Sequence, residues 1–242
     1  MVKVSVIVPV KNDKRIFNLI DALEKQTFKD FEVLIADDSE KRLFDRETTL
    51  NLKYFHLKGK GNGSVSNRIH FLAKKASSDI IAVTESDCLP SKTWLEDLLS
   101  EYEDDKTVVV GVQNLLSPYV TIFSFGSLLL PKKAFNVPFD KTIRRGEDTD
   151  WFYSLKEKGF KFKQINKAVV IHYKDPVKRL FRSFDYARDN AYIYIKHNQD
   201  KRIIKSIIFQ FATIFFSFVT IFTLAFYGLY YKLRKILFKK IR

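Results

Sequence analysis

Asp79-Ile80-Ile81-Ala82-Val83-Thr84-Glu85-Ser86-Asp87 carries four apolar residues, one polar residue, and then two carboxylates separated by a single residue. The run predicts a buried strand ending in an acidic mouth. In a strand Glu85 and Asp87 share one face while Ser86 points the other way. Two acids so placed repel unless a cation lies between them. Oxygen ligands at a strand end suit Mg²⁺ or Mn²⁺, ions that usually also hold phosphate oxygens. Solvation of a strand end is the plainer alternative, and the spacing alone leaves both open.

Upstream, Val4-Ser5-Val6-Ile7-Val8-Pro9-Val10 is a near-continuous apolar run, as expected of a parallel strand covered on both faces, with Pro9 ending it. Asn12 or Asp13 can cap the next helix, where Ile16, Leu19, Ile20 and Leu23 fall at i, i+3, i+4 and i+7. A second strand, Phe31 to Ala36, runs into Asp37-Asp38-Ser39, and a third is expected from Leu52 to Leu57. This β-α-β order calls for a right-handed crossover and a ligand site at the carboxyl ends of the strands. Gly59-Lys60-Gly61-Asn62-Gly63-Ser64 holds three of the chain's eight glycines before a helix from Val65 to Ala76. It matches neither the P-loop nor the Rossmann fingerprint, so it reads as a flexible turn or as a binding loop.

Downstream, Trp94, Leu95, Leu98 and Leu99 form the buried stripe of a helix from Lys92 to Tyr102, followed by a strand from Thr107 to Gln113. Residues 114–146 show no clear period. Arg144-Arg145-Gly146-Glu147-Asp148-Thr149-Asp150 opens a helix through Lys158, and acids in a first turn are ordinary dipole partners. Gly159 caps that helix, and Phe160 to Ile165 and Ala168 to His172 predict two short strands.

The 242 residues suffice for one large α/β domain and something more. Residues 1–155 carry 22 Lys and Arg against 23 Asp and Glu, a net of −1, whereas residues 156–242 carry 20 against 5, a net of +15. The basicity therefore belongs to a separate surface. The single cysteine, Cys88, excludes an internal disulfide and fits a reducing compartment. Asp87 beside it raises the thiol pKa, which argues against a nucleophile. Met1 leads straight into a strand pattern, so no signal peptide is expected.

Four separated motifs resemble, in order and spacing, those of family 2 glycosyltransferases with a GT-A fold. They are Val6-Ile7-Val8-Pro9, Phe31 through Ser39, Thr84-Glu85-Ser86-Asp87 and Gly146-Glu147-Asp148-Thr149-Asp150, and the resemblance covers roughly residues 3–190. It implies an α/β, Rossmann-like, mostly parallel central sheet and a nucleotide-diphosphate sugar donor. It further implies that Pro9, Lys11, Asp37, Asp38 and Glu85 line the nucleotide, and that Glu85 and Asp87 hold Mg²⁺ or Mn²⁺. His172, where the family often places a late histidine, joins the metal or is a satisfied core histidine. Asp148 is implied as catalytic base, with Glu147, Arg145 and Trp151 facing the acceptor or supporting the site from behind. Three departures stand out: Lys11 replaces a common aromatic, Glu85 a common aspartate, and Asn67-Arg68 matches the usual Arg-Asn pair only loosely.

The back end is of another kind. Val177 to Asn198 interleaves Lys178, Arg179, Arg182, Arg188 and Lys196 with aromatic and aliphatic residues, a pattern for an anionic lipid surface or for nucleic acid. Ile207 to Tyr231 then runs 25 residues without a charge, enough to cross a hydrocarbon core of about 30 Å. A buried core helix is the alternative, which a domain of this size cannot surround. Gln210, Thr213, Ser217, Thr220 and Thr223 form a small polar stripe that either packs against a helix of a second copy or of another protein, or bonds its own backbone. Basic residues flank the span on both sides, so charge does not choose its orientation.

These readings predict a GT-A catalytic domain over 1–175, a basic amphipathic juxtamembrane helix over 176–202, a transmembrane helix over 203–232 and a basic tail over 233–242. The expected activity is inverting transfer to a hydroxyl of a membrane-associated acceptor, with the catalytic domain on the cytosolic face and no nucleic-acid partner. A polyprenyl-phosphate sugar synthase is the nearest alternative. Its acceptor is already ionised and needs no base, so the Glu147-Asp148 pair favours a hydroxyl. A membrane-tethered module binding anionic lipid or nucleic acid is the alternative of another class.

Overall fold

A computed structural model of the chain describes residues 2–60, 64–114, 123–173 and 183–198, with eight helical positions between 208 and 226. The chain divides into two compact units, Met1–Lys174 and Asp175–Arg242.

The first unit is built on one eight-stranded sheet. Its elements are β1 (Val4–Val10), α1 (Ile16–Glu24), β2 (Phe31–Asp37), β3 (Leu52–His56), α2 (Val65–Lys75) and β4 (Ile80–Val83). There follow β5 (Cys88–Pro90), α3 (Trp94–Leu99), β6 (Thr107–Asn114), β7 (Leu128–Pro131), a 3-10 turn (Lys132–Asn136), α4 (Glu147–Glu157) and β8 (Lys161–His172). The strand order is β3-β2-β1-β4-β7-β6-β8-β5. Parallel pairing holds from β3 to β4 and again between β6 and β8, while β7 and β5 run antiparallel to their neighbours. The sheet is thus more mixed than the expected mostly parallel one, because β7 falls in the stretch that lacks a readable period.

β1 and β2 are buried along their whole length, which is why both read as continuous apolar runs. Alternation sends Val4, Val6 and Val8 into one core with Leu19, Leu23 and Trp94, and Ile7 into the other with Ile69, Leu72 and Trp151. Pro9 is tolerated inside β1 because β4 pairs only with Ser5 through Ile7, so the missing N–H faces a neighbour that has already ended. The strand therefore continues past Pro9 to Val10.

Three local expectations change. Neither Asn12 nor Asp13 is the N-cap of α1; Arg15 is, Asn12 takes a left-handed φ of 52°, and Asp13 accepts the Arg15 N–H at 3.1 Å. The two short strands expected at 160–172 are one twelve-residue strand, β8. Its register against β6 shifts between Val110, which pairs with Gln164, and Val112, which pairs with Val169. Gly111 sits at that shift, where a Cβ would lie 2.1 Å from Ser127 Oγ and 2.5 Å from the Ala168 carbonyl. Finally, β4 stops at Val83, and Glu85 to Cys88 form a turn closed by the Cys88 N–H on the Glu85 carbonyl at 3.0 Å. Strand alternation is therefore not what brings Glu85 and Asp87 together; the turn is.

In the second unit, α5 (Ser183–His197) lies within the expected basic helix and carries Lys196 and His197 in its last turn. The expected span over 203–232 lies mostly outside the described residues, and the basic tail over 233–242 wholly so. Among the described residues no helix is long and apolar enough to cross a membrane. Ile208, Phe211, Phe215, Val219, Phe222 and Phe226 are helical and expose large apolar side chains. Thr223 donates its hydroxyl to the Val219 carbonyl at 2.8 Å, the own-backbone alternative at that position, while Gln210, Thr213, Ser217 and Thr220 lie outside the described residues.

Candidate active site

Successive strands β1, β2 and β3 extend the sheet one way, and β4 joins β1 on its other side. The carboxyl ends of β1 and β4 therefore flank a topological switch point, the place where open α/β sheets bind ligands. Lys11, Asp38 and Thr84 through Asp87 all follow directly from these strands or their neighbour β2.

On the β2 side the two aspartates divide their work. Asp37 is fully buried and accepts from the Ser39 N–H at 2.9 Å, the Leu43 N–H at 3.0 Å and the Tyr54 hydroxyl. Burial would raise its carboxyl, but the bonds from Ser39, Tyr54 and Leu43 hold it below the usual range. Tyr54 is pushed the other way, up to about 12, by burial and by that carboxylate. Asp37 thus shapes the 38–44 loop. Asp38 faces cations instead, with Lys11 Nζ at 3.1 Å and Arg68 Nη1 at 3.4 Å. Arg68 is buried on α2, its Nε has no hydrogen-bond partner, and burial lowers its pKa against the pull of Asp38, Glu147 and Glu85.

On the β4 side the turn gathers a donor cluster. Single ligand atoms of Glu85, Asp87, Cys88 and His172 all lie within 4.8 Å of one another. His172 arrives on the end of β8, where antiparallel pairing sets it opposite Cys88. Its Nε2 faces Asp87 Oδ2 at 3.2 Å and its Nδ1 faces Gln113 Oε1 at 3.0 Å. Gln113 in turn donates its amide to Ser124 Oγ at 2.7 Å. Asp13 and Arg15 close the same turn: Ser86 Oγ donates to Asp13 at 2.9 Å, and Arg15 lies 2.8 Å from Asp13 and 3.5 Å from Asp87. Burial works to raise the Asp13 carboxyl, but the hydrogen bonds from Arg15 and Ser86 prevail and keep it low. Burial, together with Glu85 and Asp87, raises the Cys88 thiol well above its ordinary value.

The third part is the opening turn of α4. Gly146 takes φ 79°, a left-handed conformation that a side chain would strain, and turns the chain so that Glu147 reaches back to α2. Glu147 accepts the Ser66 N–H at 3.2 Å, in the first turn of α2, and burial pushes its carboxyl up to about 6. Asp148 is partly exposed and accepts the Thr149 N–H at 2.8 Å. Arg145 lowers the Glu147 pKa from the preceding loop. Trp151 is fully buried, donates to the Val137 carbonyl at 2.9 Å, and packs on Phe135 and Phe139.

The donor cluster fits a divalent ion. Oxygens about 2.1 Å from Mg²⁺ lie at most about 4.2 Å apart, so a spread of 4.8 Å closes with small side-chain shifts. Arg15 and Gln113 join the site without having been singled out from sequence, and Arg68 of the loosely matching Asn67-Arg68 pair joins it too. Arg68 had a signal, a charged residue on the same helical stripe as Leu72. Gln113 had none.

A model of the family described as Glycosyl transferase family 2 matches residues 5–183. Chondroitin synthase of Escherichia coli is 23% identical over 161 residues, which are 61% of this chain and 23% of that protein. The solved mannosyltransferase PcManGT from Pyrobaculum calidifontis, in complex with GDP-Man and Mn²⁺, superposes with a TM-score of 0.64 at 15% identity, covering 88% of this chain and 70% of that one. S. aureus TarS superposes at 0.54 with 20% identity, covering 89% of this chain and 44% of that one. The chain thus spans less than half the length of chondroitin synthase or TarS.

Proposed function

The chain belongs to glycosyl transferase family 2, and from that membership we propose that it moves a sugar, with inversion, from a nucleotide-diphosphate donor to a hydroxyl of a membrane-associated acceptor. One observation carries the reading. The buried guanidinium of Arg68 on α2 lies 3.4 Å from Asp38 of the β2 motif, Ser66 on the same helix holds Glu147 of the α4 motif at 3.2 Å, and the charge of Glu85 favours the charged guanidinium while Glu85 also belongs to the donor cluster. Nucleoside side, diphosphate side and base-bearing turn therefore meet at one place.

Lys11 and Asp38 hold the nucleoside. Glu85, Asp87 and His172 hold a divalent cation, which when bound supplies positive charge against the developing diphosphate. The acceptor oxygen attacks the anomeric carbon as the bond to the diphosphate oxygen breaks, and the hydroxyl proton passes to the Asp148 carboxylate. Attack from the face opposite the leaving group inverts the centre. Asp148 suits this role better than Glu147, because Glu147 is committed to the Ser66 N–H. The relatives solved with GDP-Man and with UDP-GlcNAc support a nucleotide-sugar donor. In the second unit, α5 docks on anionic lipid, each Lys or Arg adding about 1 kcal/mol, and the expected span over 203–232, uncharged from Ile207 to Tyr231, crosses or enters the bilayer. The active site then lies on the cytosolic face.

The test is nucleotide-diphosphate release by detergent-solubilised protein given a panel of nucleotide sugars, Mg²⁺ or Mn²⁺, and a membrane-lipid extract. Release from one donor that stops with chelator and with Asp148→Asn supports the proposal. Release surviving Asp148→Asn points to a phosphate acceptor, and release from no donor sinks the enzyme reading.

A further inference from the structure

Arg15 borders the donor cluster, and the proposed reaction gives it no task. It stands just before α1, past the carboxyl end of β1, with its side chain 42% exposed. Asp13 holds one edge of the guanidinium, with Nε 2.8 Å from Oδ1 and Nη2 2.9 Å from Oδ2, and Nη1 donates to the Tyr173 carbonyl. Asp13 is itself fixed, since its carboxylate also accepts the Arg15 backbone N–H at 3.1 Å and the Ser86 hydroxyl at 2.9 Å. A long side chain that ordinarily samples many rotamers is thus held at the edge of the cluster before any ligand arrives.

A guanidinium carries five N–H donors, and three of them are taken by Asp13 and Tyr173. One N–H on each terminal nitrogen remains, which is what two-pronged binding of a phosphate requires. Nη2 stands 3.5 Å from Asp87 Oδ2, beyond a good hydrogen bond, so this approach does not use up the donor. Charge points the same way. Asp13, Glu85 and Asp87 bring three negative charges to this corner, and a divalent cation offsets two of them. An anionic diphosphate would then meet a site still negative by one, and the charge of Arg15 offsets that remainder.

We propose that Arg15 is a further catalytic residue, whose two remaining N–H groups bind the outer phosphate of the donor and stabilise it as the leaving group. The inference rests on the reading of Glu85, Asp87 and His172 as the donor's cation site. Divalent ions held by carboxylates usually also hold phosphate oxygens, and with the nucleoside at Lys11 and Asp38 the phosphate over the cluster is the one that bears the sugar. As the bond between the anomeric carbon and the diphosphate oxygen breaks, its electron pair ends on that oxygen. Donors already fixed in place bind more strongly as this charge grows. Arg15 keeps its protons throughout, and the acceptor's proton goes to Asp148 as before.

Calorimetric binding to the full detergent-solubilised chain in saturating Mn²⁺ tests this, with UDP, GDP, CDP and ADP each set against its monophosphate. Arg15→Ala is expected to lower affinity for the diphosphate that the wild type binds by roughly 10- to 100-fold, the worth of hydrogen bonds to a charged group, and to leave the matching monophosphate within about twofold. Arg15→Lys, which keeps the charge and loses the fork, is expected to fall between the two. Retained monophosphate binding also shows that the variants are folded. Unchanged diphosphate affinity overturns the role of Arg15. So does an equal loss for monophosphate and diphosphate, which would make Arg15 a strut of the Asp13 loop alone. Should the wild type bind none of the four diphosphates, the donor reading falls and the inference with it.

Discussion

Glu147 Oε1 accepts the Ser66 backbone N–H at 3.2 Å, so the turn that carries Asp148 is hydrogen-bonded to the first turn of α2. Burial raises this carboxyl to about 6 from an ordinary 4.5. Because the folded value is the higher one, the contribution to stability is full below about pH 4.5 and is lost as pH rises through about 6. The shift corresponds to roughly 2 kcal/mol. Glu147→Gln keeps the acceptor and removes the charge. Urea denaturation is expected to find the variant more stable than the wild type at pH 8 by up to that amount and equal to it at pH 4.5. An equal difference at both pH values would contradict the assignment.

Asp148 is partly exposed and accepts the Thr149 N–H at 2.8 Å, whereas Glu147 accepts from the first turn of α2 and Asp150 is buried. Asp148→Asn preserves shape and removes the carboxylate proposed as base. The expected result is a fall in turnover of about 10² to 10⁴ with nucleotide affinity unchanged. Single-turnover kinetics together with calorimetric binding of the nucleotide diphosphate separates the two.

The site was legible where its residues sit in contiguous motifs and illegible where the fold alone brings them together. Asp38, Glu85, Asp87 and Asp148 each lie at the end of a strand or the start of a helix, and sequence periodicity locates such ends. Residues 114–146 lacked a period because β7 is a four-residue strand, buried throughout and followed at once by a 3-10 turn, so neither is long enough to repeat. Gln113 was invisible for a different reason: its partner His172 is 59 residues away, on a strand adjacent only in the folded sheet. Asp37 and Asp38 look equivalent in sequence. Only the Tyr54 hydroxyl and the Leu43 N–H distinguish the carboxylate that builds the loop from the one that meets Lys11 and Arg68.

Tyr54 tests that division. Its hydroxyl donates to Asp37 and accepts the Leu43 and Phe44 N–H groups at 3.1 and 3.3 Å. Tyr54→Phe takes the printed partner from the Phe44 N–H and one bond from Asp37, while the Leu43 N–H keeps Asp37; leaving such a group unsatisfied costs about 1 to 3 kcal/mol when it is buried. Thermal denaturation is expected to show the loss, and nucleotide affinity to weaken because Ser39, on the same loop, holds the Asn12 N–H at 2.7 Å. Unchanged stability would mean that Asp37 is satisfied without Tyr54.

Asp87 sits 3.2 Å from His172 and 3.5 Å from Arg15, so a divalent ion entering the cluster competes with the guanidinium for the same oxygen. A ligand that binds only the folded state stabilises it by about 2.7 kcal/mol at a hundred times its dissociation constant. Mn²⁺ is therefore expected to raise the melting temperature of the wild type and to leave Asp87→Asn unmoved. Arg15→Ala, which removes the competitor, is expected to respond at lower Mn²⁺ concentration than the wild type. A weaker response in that variant would show that Arg15 assists the site.

Gly126 makes the most local demand. Its hydrogen faces Gln113 Nε2, where a methyl carbon would stand at 2.2 Å, and Cys88 Sγ, where it would stand at 3.0 Å. Gly126→Ala must push the Gln113 amide aside and break its grip on His172 Nδ1, since Thr84 Oγ1 already holds the Gly126 carbonyl at 3.0 Å and resists backbone movement. Overpacking of this kind costs about 1 to 3 kcal/mol. Loss of the bond that orients a histidine ligand weakens metal binding by about 10- to 100-fold. The two effects separate in the double variant Gly126→Ala/Gln113→Ala, in which the clash is relieved but the histidine stays unoriented. Stability is expected to recover there while Mn²⁺ affinity does not, and recovery of both would show that Gln113 has no part in holding His172.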